Sequence, residues 1–147
     1  GVMRVGVLTP GSTTDLRIPY NSTKITNSNY AWSGTVLTIS AAGTYLISAS
    51  CGLVSQTYNN RVVGRIRTLT NGTWNGSNDA ESFCYLRHDD FGQFESMVIS
   101  QFPRIFAAGD TLQIQCQVGK GNQTPSQSNF DGLVLAPGMN LTVEKVA

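Results

Sequence analysis

Between Thr44 and Leu53 the chain alternates without interruption: Tyr45, Ile47, Ala49, Cys51 and Leu53 fall on one side, and Thr44, Leu46, Ser48, Ser50 and Gly52 on the other. A period of two predicts a strand with one buried face. Thr111 to Val118 repeats the pattern, with Leu112, Ile114, Cys116 and Val118 set against Thr111, Gln113, Gln115 and Gln117. Each strand follows a turn signal, Ala41-Ala42-Gly43 in the first case and Ala107-Ala108-Gly109-Asp110 in the second, because glycine accepts backbone angles that other residues resist. Further strands are predicted at Val2 to Leu8, Leu16 to Ile18, Val36 to Ile39, Arg61 to Thr70, Ser82 to Arg87, Met97 to Phe106, Phe130 to Leu135 and Leu141 to Val146. Asn71-Gly72, Asn75-Gly76, Pro137-Gly138 and the polar stretch 119–129 separate them as turns and loops. No segment holds a helical period, so the pattern predicts an all-β sandwich of about ten short strands.

Composition narrows the partners. The 147 residues suffice for one hydrophobic core, and no linker or repeat divides them. Charged residues are 13% and the net charge is +1, too weak a field to steer nucleic acid or anionic lipid. No apolar run approaches the roughly 20 residues of a membrane-spanning helix, so neither nucleic acid nor membrane insertion is expected. Partners are expected to bind by shape and hydrogen bonds.

Little of the sequence carries chemistry. His88 is the single histidine, so neither a multi-histidine metal centre nor a triad independent of it can be built in one chain. His88-Asp89-Asp90 reads as a solvated turn in preference to a cation site. Asp79 and Glu81 sit in an Asn-rich loop with oxygen ligands for calcium, but in no calcium-loop spacing. Trp74 in that loop has two open readings, a stacking platform for a sugar ring or a side chain tucked over a sheet edge. Gly119-Lys120-Gly121 lacks the residues of a phosphate loop and reads as a plain loop. Asn-x-Ser/Thr sequons begin at Asn21, Asn71, Asn75, Asn122 and Asn140 and matter only in a eukaryotic secretory route. The three cysteines, Cys51, Cys84 and Cys116, are widely spaced and odd in number, which predicts buried free thiols. No catalytic residue, metal or cofactor is expected.

Over roughly residues 14 to 136 the strand pattern resembles the tumour necrosis factor and complement globular-head superfamily. The resemblance rests on the run into Gly43-Thr44-Tyr45, on the Gly109-Asp110 pair opening an alternating strand, and on the closing Phe130-x-Gly132. It implies a ten-stranded, two-sheet jelly roll that trimerises about an axis lined by one sheet's outer face. Leu46, the residue after the signature tyrosine, is thereby implied at the threefold axis. The family ordinarily ends at its Phe-x-Gly strand, so NLTVEKVA is expected as an additional edge strand. Residues 1–13 are expected as an arm or extra strand ahead of a single domain spanning 14–147, the two flanks being able to pair. The resemblance further implies that the Gly-x-Tyr and Gly-Asp strands are antiparallel neighbours. That would hold Cys51 and Cys116 about 13 Å apart, beyond disulfide reach.

The leading functional expectation is a non-enzymatic homotrimer on a virion surface, of bacteriophage type, serving as a capsid decoration or as a fibre or spike head. Its partners would be capsid or fibre proteins, or a host receptor or glycan. It draws on the uncharged Asn/Gln/Ser/Thr-rich surface, the lack of a collagen stalk and the added terminal strands. The alternative is a secreted complement-type or cytokine-type trimeric ligand binding a receptor between its subunits. A carbohydrate-active enzyme would need paired carboxylates on one groove, and the nine acidic residues are scattered.

Overall fold

A computed structural model describes residues 2–5, 16–18, 22–23, 28–55, 60–88, 94–120, 133–135 and 139–147. The strands are β1 (Val2–Val5), β2 (Leu16–Arg17), β3 (Ser22–Thr23), β4 (Tyr30–Ser33), β5 (Val36–Ile39), β6 (Gly43–Ser55), β7 (Asn60–Thr70), β8 (Glu81–His88), β9 (Phe94–Phe106), β10 (Thr111–Lys120), β11 (Leu133–Leu135) and β12 (Met139–Lys145). All ten predicted strands are among them. The short strands β3 and β4 escaped the pattern: the first is two residues long and the second, Tyr-Ala-Trp-Ser, alternates too briefly to register.

Two antiparallel sheets form a jelly-roll sandwich. In the first, β6 pairs with β9 along one edge and with β12 and then β11 along the other, and β1 and β3 follow beyond β12. In the second, β10 is central, with β7 and β8 on one side and β5, β2 and β4 on the other. The alternating residues read from the sequence do face inward: Tyr45, Ile47, Ala49, Cys51 and Leu53 of β6 meet Leu112, Ile114, Cys116 and Val118 of β10 in one core.

That meeting corrects one expectation. The Gly-x-Tyr and Gly-Asp strands are not neighbours in a sheet; each is central to its own sheet, and their buried faces oppose each other across the core. Alternation reports which face of a strand is buried, and it is silent on whether a second strand lies beside or opposite. A second correction concerns the C-terminal strand. β12 is no edge strand, since it runs between β6 and β1. The two flanks do pair, Val2 to Val5 against Thr142 to Met139, so residues 2–5 form a strand within the jelly roll. Gly119 and Lys120 likewise continue β10, where a loop was expected, paired with Val63 and Val62.

Gly64 brings the sheets close. It lies on the inner face of β7, and a Cβ there would sit 2.6 Å from Leu53 Cδ1, 3.0 Å from Cys84 Sγ and 3.2 Å from Met97 Sδ. Only a residue without a side chain lets the opposite sheet approach so nearly.

Candidate functional site

The family-signature residues form a structural brace at one end of the sandwich. Gly43 adopts φ +152°, and a Cβ on it would fall 2.2 Å from the carbonyl oxygen of Ala147. Tyr45 is wholly buried; its hydroxyl donates to the Ala41 carbonyl at 2.7 Å, and its ring meets Phe106 edge-on at 5.7 Å. Asp110 follows Gly109 in the β9–β10 turn and accepts from the Ala107 N–H at 2.8 Å and from Asn71 Nδ2 at 3.0 Å. It thus ties that turn to the β7–β8 turn. Phe130 and Gly132 lie outside the described residues.

Those bonds, with Arg104 nearby, hold the Asp110 carboxyl below its ordinary value: Asn71 contributes most, then the Ala107 amide. A group whose folded pKa is depressed gives stability that is complete above its unfolded value and lost as pH falls through the folded one. Acid titration of unfolding should therefore show a loss below about pH 4 that is smaller in Asp110→Asn. An unchanged acid limb in that variant would mean that the carboxylate contributes nothing.

Asp79 and Glu81 are not brought together. Asp79 takes the hydroxyls of Thr68 and Thr70 at 3.0 and 2.9 Å and the Asn75 N–H at 2.9 Å, clamping the 71–80 loop. Glu81 faces Arg65 across 3.6 Å on the outer side of the second sheet. No metal-holding cluster exists among the described residues. His88 ends β8, paired with Asn60, while Asp89 and Asp90 lie outside the described residues. Trp74 folds back, half-buried, with the Arg67 guanidinium 5.2 Å from its ring and Gly76 close by.

The outer faces of the two sheets differ, a contrast that the sequence reading did not anticipate. On the second sheet, Arg65 reaches Gln117 and lies 6.0 Å from the Phe83 ring, while Arg67 donates to Gln115 at 2.6 Å beneath Trp74. These rows leave Gln115 and Gln117 only 4% and 9% exposed, while Phe83 and Tyr85 on β8 stay 50% and 44% exposed on the same face. The outer face of the first sheet is built from smaller polar residues and a few apolar ones. Leu46 sits there, half-buried between Pro103 and Glu144. Ser48, Ser50, Asn140 and Thr142 continue this face along β6 and β12, with Val98 56% and Ile105 74% exposed on β9. A shallow depression of about 210 Å³ lies over Ser48, Ser50, Val98 and Thr142. A larger cleft of about 420 Å³ opens where β9 meets the 77–79 loop, between Thr44, Ile105, Arg104 and Asp79.

Val98 and Ile105 are seven residues apart on β9 and would face opposite ways in a regular strand. The register shift between the Ile47 and Ala49 pairings sets two β9 residues, Ser100 and Gln101, against Ser48. This bulge turns both apolar side chains outward.

No family model matches the chain, and no curated protein matches it. Among solved structures, murine APRIL at pH 8.0 superposes with a TM-score of 0.54 at 13% identity, covering 99% of this chain and 98% of that one. Murine APRIL at pH 8.5 gives 0.54 at 10% identity, covering 99% and 95%, and the pH 5.0 form gives 0.51 at 13% identity, covering 99% and 98%. At such identities the likeness is one of fold: the described strands form a tumour necrosis factor-like jelly roll.

Proposed function

We propose that the chain is a non-enzymatic, self-associating ligand of tumour necrosis factor type, secreted, trimeric through the outer face of its first sheet, and receptor-binding at the junctions between subunits. The observation that carries this reading is the apolar patch of Leu46, Val98, Pro103 and Ile105 on the outer face of the first sheet. On the second sheet arginine and glutamine rows cover β7 and β10 and leave Phe83 and Tyr85 exposed on β8; the first presents Leu46, Val98, Pro103 and Ile105 among small polar residues, with Glu144 paired to Leu46. An apolar, weakly charged surface of this kind suits a subunit interface. Leu46 belongs to this patch on β6 beside Pro103, at the position that the family resemblance implies for the axis.

The likeness to a murine protein supports this reading better than the virion-surface one, and a viral source finds no support in it. In this reading Asp79 serves the loop that it clamps through Thr68, Thr70 and Asn75, and no catalytic role is assigned to it.

The test is a pair of charge substitutions. Leu46→Asp should reduce a trimer to monomers, because an unpaired carboxylate at a packed axis is costly. Phe83→Asp, placing the same charge on the outer face of the second sheet, should leave the assembly intact. Sedimentation velocity reads both. Dissociation by Phe83→Asp with Leu46→Asp unaffected would reassign the interface to the other sheet.

A further inference from the structure

The loop between β7 and β8 holds two Asn-Gly steps, Asn71-Gly72 and Asn75-Gly76. Asparagine before glycine is open to attack by the following main-chain nitrogen, because no β-carbon shields that nitrogen. Both asparagines are exposed to solvent, but they are held differently. Asn71 is tied to the start of β10 at three points. Its N–H donates to the Thr111 carbonyl at 3.0 Å, its Oδ1 accepts from the Thr111 N–H at 2.9 Å, and its Nδ2 donates to Asp110 at 3.0 Å. Ring closure expels Nδ2 and pulls Cγ onto the main chain, so at Asn71 it works against both side-chain bonds. The Asn75 carboxamide has one bond, from the Ser77 N–H to Oδ1 at 3.1 Å, and it lies within its own turn. Among the described residues its Nδ2 has no partner. That bond closes an Asx turn, which folds the carboxamide back beside the Gly76 peptide. It also leaves an N–H on the oxygen where negative charge develops. Gly76 is open, with only the Trp74 ring near it, at 3.5 Å from an added Cβ.

We propose that Asn75 is a deamidation site of the folded chain, and that the fold protects Asn71, the other Asn-Gly step of the same loop. Water is the only co-reactant. The Gly76 nitrogen gives up its proton and attacks Cγ of Asn75. An N–Cγ bond forms, the Cγ–Nδ2 bond breaks, and Nδ2 takes a proton and leaves as ammonia. Water then adds to either carbonyl of the five-membered imide and reopens it, giving aspartate by one route and isoaspartate by the other. No electrons are transferred. Either product puts a negative charge beside Asp79, whose carboxylate accepts the Asn75 N–H at 2.9 Å, and isoaspartate also lengthens the main chain inside the turn. The Asp79 clamp on the 71–80 loop is thereby weakened, next to the cleft that Ser77, Asn78 and Asp79 line. This inference stands apart from the proposed ligand role.

The experiment incubates the full chain at mildly alkaline pH, folded and in urea, and follows both sites by peptide mapping, with isoaspartate read by an isoaspartyl methyltransferase. In the folded chain Asn75 should deamidate on the order of 30-fold faster than Asn71, the factor set by the two side-chain hydrogen bonds that hold Asn71 to β10. In urea the two rates should converge. Asp110→Ala, which removes one of those bonds, should speed Asn71 and leave Asn75 unchanged. Equal rates in the folded chain, a faster Asn71, or an Asn75 that stays intact while the unfolded chain reacts would overturn the proposal.

Discussion

Tyr45→Ala is expected to lower the unfolding free energy by about 3–5 kcal/mol, the range for emptying a large buried aromatic site. Two losses combine. The ring is fully enclosed and packs edge-on against Phe106, so its removal leaves a cavity between the start of β6 and the end of β9. The hydroxyl donates to the Ala41 carbonyl in the turn that launches β6, and that acceptor would lose its donor. Tyr45→Phe separates the two. It keeps the ring and should cost only about 1–2 kcal/mol, the loss of one buried hydrogen bond. Urea unfolding of both variants provides the check. A loss below about 1 kcal/mol for Tyr45→Ala would be incompatible with a buried site.

Gly64→Val should be nearly as damaging, for the opposite reason. A strand interior ordinarily gains from replacing glycine, by roughly 0.5–1 kcal/mol for alanine. At Gly64 the first added carbon already collides with Leu53 and presses on Cys84 and Met97, and valine adds two more. Overpacking of a closed core costs about 1–3 kcal/mol and sometimes more, so Gly64→Ala should lose stability and Gly64→Val should lose more. Thermal unfolding ranks the three chains. A gain in Gly64→Ala would mean that the sheets are not pinched at this point.

The sequence disclosed the strands more readily than their arrangement. Regular alternation in β6 and β10 identified their buried faces because the face a side chain takes depends only on its place in its own strand. Sheet membership depends on partners far along the chain, which is why β6 and β10 were placed side by side and β12 at an edge. The signature residues Gly43, Tyr45 and Asp110 stood out by type, and each proves to serve a turn or a close approach. The apolar outer patch was only partly legible. Leu46 broke an otherwise polar face, while Val98 and Ile105 were hidden by a bulge that reverses the phase of β9. The arginine rows of the second sheet depend on cross-strand register, which a single sequence does not print. Gly64 had no local signal, since its neighbours belong to β6, β8 and β9.

The most direct test of the central claim, that the open face of the first sheet is an assembly face, is the solution mass of the unmodified chain by light scattering across a dilution series. The account expects three times the chain mass, held down to low concentration. A mass equal to one chain throughout would contradict it and would leave Leu46, Val98 and Ile105 as solvent-facing residues of a monomer.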